Sequence, residues 1–421
     1  MKLRNKRIVP VIAALAAMLS MLMFTACSGI VGGAAAISQS ARTEQNAPAG
    51  SAAAAQIEAA SDTDPGDLAS EAFSERDLSG GYDAEDASAI DLNELSGDAV
   101  ISEAGTYVLT GALENGSVVI DASSEDKVQL VLKGASIASD SFAAIYVKQA
   151  DKVFITLAEG SENSLSNGGS FVQRDENDVD GVIFSKDDLT INGSGSLTIV
   201  SPAEHGVVCK DELVIAGGVL NITAGAHAIR ANDSIAVSDG SITIRAGKDG
   251  LHAENGDDDS LGTIYIAGGS FSVSAGDDGV HAVSLLRIDG GSLDITAAEG
   301  LEATYVLIND GDITVSASDD GINAARKSTA YTPTVEINGG SLDITMGAGD
   351  TDAIDSNGSL IITGGTIDIT GSGFDFDGSV SFTGGTVTVN GQQLTRIDNS
   401  MMGGMGGFGG FGGPQGGGRR H

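Results

Sequence analysis

Acidic side chains recur along this 421-residue chain at a spacing that would stack them one above another. Asp249, Asp278, Glu299, Asp320 and Asp352 hold one place of a repeat. Glu302, Asn323 and Asp355 hold a second place three residues on, and Asp375 takes it one repeat later. Asp277 and Asp319 precede Asp278 and Asp320. Towards the N-terminus, His205 and His227 stand where the acid is expected, and Arg230, His252 and His281 fill the second place. Like charges about 4 Å apart repel by ~1 kcal/mol per pair even in a water-like dielectric, so a carboxylate stack calls for a cation. Calcium suits it, taking about six to eight hard oxygen ligands in a flexible geometry. The candidate Ca2+ ligands are therefore Asp249, Asp277, Asp278, Glu299, Glu302, Asp319, Asp320, Asn323, Asp352, Asp355 and Asp375. The bland alternative is that Asp-Gly merely makes good turns. Turn chemistry, however, does not call for Glu302, Asn323, Asp355 and Asp375 on the adjoining run. Asp249/His252 and Asp278/His281 also have donors for zinc, but histidines that hydrogen-bond or pair with acids are the reading preferred here.

The elements that must position these residues are short. A repeat of roughly 22 residues runs from about Asp126 to Asn390. GTIYIAGGSFSVSAGDDGVHAV (262–283) shows its form: two alternating apolar/polar runs split by a Gly-Gly turn, an acidic-Gly turn, and a third run. Such runs bury nothing alone and must stack. The expected fold is all-β, a right-handed parallel β-helix (solenoid) of about ten coils spaced ~4.8 Å apart. In the third run, Val207, Ile229, Leu251, Val280, Leu301 and Ile322 should point inward, as should the smaller Cys209, Ala231, Ala253, Ala282, Ala303 and Ala324. The residue between each pair should face outward and, with the acidic turn, form a groove. Three breaks in the period, at 161–180, 254–261 and 326–333, are expected to project and wall a binding face.

The N-terminus reads as a processing signal, with Lys2, Arg4, Lys6 and Arg7 before an apolar stretch ending Phe24-Thr25-Ala26-Cys27. The expected organisation is a lipoprotein signal at 1–27 with lipidated Cys27, a flexible Ala/Ser-rich tether at 28–85, the β-helix at 86–400, and a disordered Gly/Met-rich tail at 401–421. With Cys27 acylated, only Cys209 remains, so no intramolecular disulfide can form. The net charge of −36 makes nucleic acid and anionic lipid poor partners. The absence of Trp argues against a flat aromatic platform for cellulose. An EF-hand-like stretch from Glu176 to Asp187 begins with Glu and ends with Asp, and is set aside.

GTYVLTG (105–111), DKVQLVL (126–132), AAIYVK (143–148), DKVFITLAEG (151–160) and IFSKDDLTINGSGSL (183–197), followed by the DDG-containing coils, occur in a characteristic order. In these motifs the chain resembles the bacterial secreted carbohydrate-binding domain-containing family. The resemblance implies a calcium-bearing parallel β-helix, similar in fold to pectate-type polysaccharide lyases, that binds polysaccharide without established catalysis. That family usually has Asp where this chain has His205 and His227. The expected function is calcium-dependent binding of an acidic, pectate-like polysaccharide by a monomer anchored through Cys27 on the extracellular face of the bacterial cell membrane. Two alternatives stand beside it: a polysaccharide lyase drawing on Lys210, Arg230, Arg245 or Lys248, and a structural stalk or adhesin stiffened by calcium.

Overall fold

The structure is a computed structural model that describes residues 72–348 and 351–399. The expected signal, Cys27, most of the tether and the Gly/Met-rich tail lie outside the described residues. The chain is all-β. A single 3-10 turn at Leu92–Glu94 is the only helical element among the described residues.

Each repeat supplies three short runs of strand, the first two of which join in Lys127–Ser139, Glu212–Ala224 and Ser234–Ala246. Thr263–Ile266, Ser270–Ser274 and Asp278–Ala282 form one set, followed by Leu285–Ile288, Ser292–Ala297 and Glu299–Ala303, then Tyr305–Ile308, Asp312–Ala317 and Ile322–Ala324. Each strand pairs in parallel with its equivalent one repeat on: Ile264 with Leu286, Phe271 with Leu293, Val280 with Leu301. The result is a 22-stranded and a 12-stranded sheet. The antiparallel exception lies near the C-terminal end, between Thr386–Val389 and Gln392–Gln393.

The third runs make up the 12-stranded sheet in the expected register, with Val207 opposite Ile229, Leu251 opposite Val280, and Leu301 opposite Ile322. In the second run, Leu293, Ile295 and Ala297 turn inward while Ser292, Asp294 and Thr296 face water. These inward columns join one continuous core. Each Leu, Ile or Val placed there contributes about 1.5–3 kcal/mol of apolar burial.

The glycine after each acid has a cause that the turn reading misses. Gly279, Gly300 and Gly321 are not in the left-handed region. A Cβ on Gly300 would lie 2.3 Å from the Gly321 carbonyl oxygen and 2.4 Å from Val315 Cγ1. On Gly279 it would lie 2.3 Å from Ile295 Cγ2. Glycine is needed because the next repeat packs against the bare backbone.

Two expectations change. The first and third breaks in the period pack back onto the coils rather than project, whereas 254–261 stays mostly exposed. Phe142 and Val179 pack over Tyr146, Phe184 and Val208, so the outward column is covered there. The first break is also shorter than expected, because Glu162–Asn167 is a regular strand of the parallel sheet. The other two breaks meet: Thr329 N–H donates to Asp259 Oδ2 at 2.8 Å, while Lys327 and Ser328 N–H donate to Thr304 Oγ1 at 3.0 and 2.9 Å.

The second change is at the N-terminal boundary, where ordered packing begins before residue 86. Asp77 is 2 % exposed. Its carboxylate accepts from Thr190 Oγ1 at 2.5 Å and pairs with Lys152 Nζ at 3.0 Å. Asn192 Nδ2 donates to the Asp77 and Ser79 carbonyls, both at 3.0 Å. Polar groups on the sheet face thus hold a segment whose composition alone reads as tether.

Candidate functional site

The acidic column lies where the chain enters the third strand of each repeat. A recurring hydrogen bond builds it: the side chain at this position accepts the backbone N–H of its equivalent one repeat on. His205 Nδ1 accepts from His227 N–H at 3.2 Å and His227 Nδ1 from Asp249 N–H at 3.3 Å. Asp249 Oδ1 accepts from Asp278 N–H, and Asp320 Oδ1 from Asp352 N–H, both at 3.1 Å. An imidazole Nδ1 and a carboxylate oxygen both meet this demand, which is why histidine and aspartate can share one column.

The second polar column closes over the first. His252 Nδ1 and His281 Nδ1 each lie 2.6 Å from the carboxylate three residues back, Asp249 and Asp278. His281 Nδ1 also reaches Glu302 Oε2 of the next repeat at 3.0 Å, and Lys327 from the 326–333 loop reaches Glu302 Oε1 at 2.8 Å. Asn323 Nδ2 donates to Glu299 Oε2 at 3.0 Å and Glu302 Oε1 at 3.3 Å. His205, His227, His252 and His281 form a ladder of rings, with successive centroids 5.1, 4.4 and 4.8 Å apart.

Three donor triads follow along the column, each with its donor atoms within 4.8 Å of one another: His227/Asp249/His252, Asp249/Asp278/His281, and Asp278/Glu299/Glu302. The donors run from imidazole-rich at one end to all-oxygen at the other. The outward column is not an open groove here: Glu302 and Asn323 are buried, and Lys327 of the 326–333 loop reaches over Glu302. Asp320, Asp352, Asp355 and Asp375 continue the column, half-buried. Ser372 Oγ donates to Asp352 and Asn399 Nδ2 to Asp375. Asp277 and Asp319 are exposed and do not join the triads.

The electrostatics follow from burial and crowding. Burial and the neighbouring Glu302 charge push Glu299 up to about 8, against a hydrogen bond from Asn323. Glu302 moves the other way, because its hydrogen bonds from His281 and Lys327 outweigh the cost of burial. Burial would discharge His281, but its bonds to Asp278 and Glu302 hold it charged and raise it to about 9. Burial and surrounding acids raise Asp320 and Asp355 to about 6. Among the described residues, neither Asp320 nor Asp355 has an ion pair. Burial lowers His205 to about 3.

Sequence spacing places His252 and His281 beside their acids. It does not show that His227 joins from the preceding repeat, nor that Lys327 enters from a loop. A second surface lies beside the exposed acids. A shallow groove of about 450 Å³ crosses Ala275, Gly276, Thr296, Ala297, Ala298, Ser316, Ala317, Ser318, Thr345, Met346 and Gly347, equivalent positions of four repeats. Asp277 and Asp319 follow directly on Gly276 and Ser318.

A profile of the carbohydrate-binding domain-containing protein family matches residues 96–351 and 301–398. The chain belongs to that family. A carbohydrate-binding domain-containing protein of Acetivibrio thermocellus is 34 % identical over 126 residues, 30 % of this chain. The match spans 44 % of that relative, less than half its length. Among solved structures, a polysaccharide lyase-like protein from C. thermocellum is similar at 28 % identity, covering 54 % of this chain and 96 % of its own, with a TM-score of 0.49.

Proposed function

We propose that this member of the carbohydrate-binding domain family is a calcium-dependent polysaccharide-binding protein, wound as a right-handed parallel β-helix and selective for acidic polysaccharide. A lipid on Cys27 would hold it on the extracellular face of the cell membrane. The observation that carries the calcium assignment is Asn323. Its amide is buried beside Glu299 and Glu302, to which Nδ2 donates, and its Oδ1 has no hydrogen-bond partner. A buried carbonyl oxygen without a donor costs about 1–3 kcal/mol, and carboxylates with amide oxygens are the ligands calcium prefers. The donor set therefore fits. Asp278, Glu299, Glu302 and Asn323 would hold one ion. Asp320, Asp352, Asp355 and Asp375 are candidates for further ions, with Asp249 at the flank.

The groove beside Asp277 and Asp319 supports the glycan reading. Equivalent, mostly small residues from four repeats spaced ~4.8 Å apart offer a track for a few sugar units. At net charge −36 the protein repels a polyuronate, and calcium held at Asp277 and Asp319 would reverse that locally. The test is binding of polygalacturonate to the full chain with calcium and with chelator. Binding that chelator abolishes, and that Asp277→Asn with Asp319→Asn weakens, supports the reading. Binding indifferent to calcium, or no glycan bound at saturating calcium, defeats it; the second result would leave a calcium-stiffened stalk in front. Unsaturated uronate detected by ultraviolet absorbance would mean a lyase instead.

A further inference from the structure

We infer that the histidine end of the column is a separate site for a zinc-class divalent ion, held by His227, Asp249 and His252. Calcium takes oxygen ligands and has little use for imidazole, whereas two imidazoles and a carboxylate form a common set for zinc, nickel or copper. The three side chains converge from two adjacent repeats. His227 Nδ1 lies 3.1 Å from Asp249 Oδ2, His252 Nδ1 lies 2.6 Å from the same oxygen, and the two rings are 4.4 Å apart. Tetrahedral zinc with bonds of about 2.0–2.1 Å separates its ligand atoms by ~3.3 Å, so the two contacts to Asp249 Oδ2 need to open by less than an ångström. Ligation replaces the contact from Asp249 N–H to His227 Nδ1, which is long at 3.3 Å.

A second observation, independent of the cluster, points the same way. His252 is 8 % exposed, and its other ring nitrogen, Nε2, lies 3.3 Å from Glu254 Oε2. Metal-bound histidines commonly donate their free N–H to a carboxylate, which fixes the tautomer and aims the ligating nitrogen at the ion. Glu254 meets that requirement from the loop following the third strand. Asp249 has a further neighbour in Asp278, whose N–H it accepts, so the ligand carboxylate is itself oriented. The all-oxygen triad at the other end suits calcium, and one column thereby sorts two kinds of cation by donor type.

The test uses the full chain, stripped with chelator and titrated with Zn2+ alone, then with Zn2+ against millimolar Ca2+. Metal content after dialysis should show one zinc retained in the presence of calcium. His227→Ala and His252→Ala should each lose it, and Glu254→Gln should weaken it about 10–100-fold. Glu299→Gln should leave zinc in place while calcium binding falls, so the failure of one site is distinguishable from failure of the other. If a histidine variant does not fold, Cu2+ added to the unaltered chain gives the answer, because imidazole ligation imposes nitrogen hyperfine splitting on its electron paramagnetic resonance spectrum. Zinc uptake unchanged by folded histidine variants, displacement of zinc by calcium, or a copper spectrum without nitrogen coupling would overturn the assignment.

Discussion

His281 Nδ1 and Glu302 Oε2 lie 3.0 Å apart although they belong to successive repeats. The contact exists because strands Asp278–Ala282 and Glu299–Ala303 pair with His281 opposite Glu302. It means that part of the acid column carries its own cation. Lys327 adds a second positive group on the same carboxylate. Farther along, Asp320 and Asp355 have no such partner among the described residues, and their carboxyls rise to about 6. The protein partly neutralises one stretch with its own cations and leaves Asp320 and Asp355 without any among the described residues.

Calcium should therefore stabilise the folded chain. At a hundredfold excess over the dissociation constant, one site gives about 2.7 kcal/mol, seen as a higher melting temperature. Asp278→Ala combined with Asp320→Ala should lower the calcium stoichiometry. A folded double variant that binds the same number of ions would show that the acids are structural alone.

Lys327→Ala separates a metal site from a self-contained salt bridge. Removing the cation 2.8 Å from Glu302 leaves the acid cluster more negative. Calcium affinity should rise on the order of fivefold, corresponding to about 1 kcal/mol. If Lys327 serves only to neutralise Glu302, the variant loses stability and calcium titration by calorimetry shows no gain.

Gly300→Ala tests the reason for the repeated glycine. The added methyl has a backbone oxygen at 2.3 Å and Val315 at 2.4 Å, and overpacking of this kind costs about 1–3 kcal/mol. Denaturant unfolding should show that loss. A neutral result would return the glycine to the turn-chemistry explanation.

Asp77 should give a stability change in acid. Burial pushes its carboxyl up, but hydrogen bonds from Ser74 and Thr190 and the Lys152 ammonium outweigh this and hold it below its ordinary 3.8. The sign follows: the contribution is fully present above pH 3.8 and is lost as pH falls through the lower folded value. Asp188 and Glu212, whose carboxyls rise with burial, share this face, so the comparison needs Asp77→Asn in parallel. The variant should free the segment around residue 77 to protease at neutral pH and abolish its share of the acid dependence. Equal protease resistance in variant and parent would show that the segment is held by other contacts, such as Arg76 over the Phe154 ring at 4.2 Å.

Much of this protein was legible in its sequence because stacked repeats turn sequence period into spatial register. Once Val207, Ile229 and Leu251 are aligned by period, their pairing in one sheet follows, and so does the column of Asp278, Glu299, Asp320 and Asp352. Period-two alternation fixed which residues face the core. What period cannot convey is contact made outside the repeat. The burial of Tyr146 beneath Val179, the entry of Lys327 at Glu302, and the docking of Asp77 on Thr190 and Lys152 all come from segments without the repeat. The sequence did set histidines at one end of the column and acids at the other, but not which of them meet. His227 reaches Asp249 across a repeat boundary, and side-chain direction at such a boundary is set by tertiary packing.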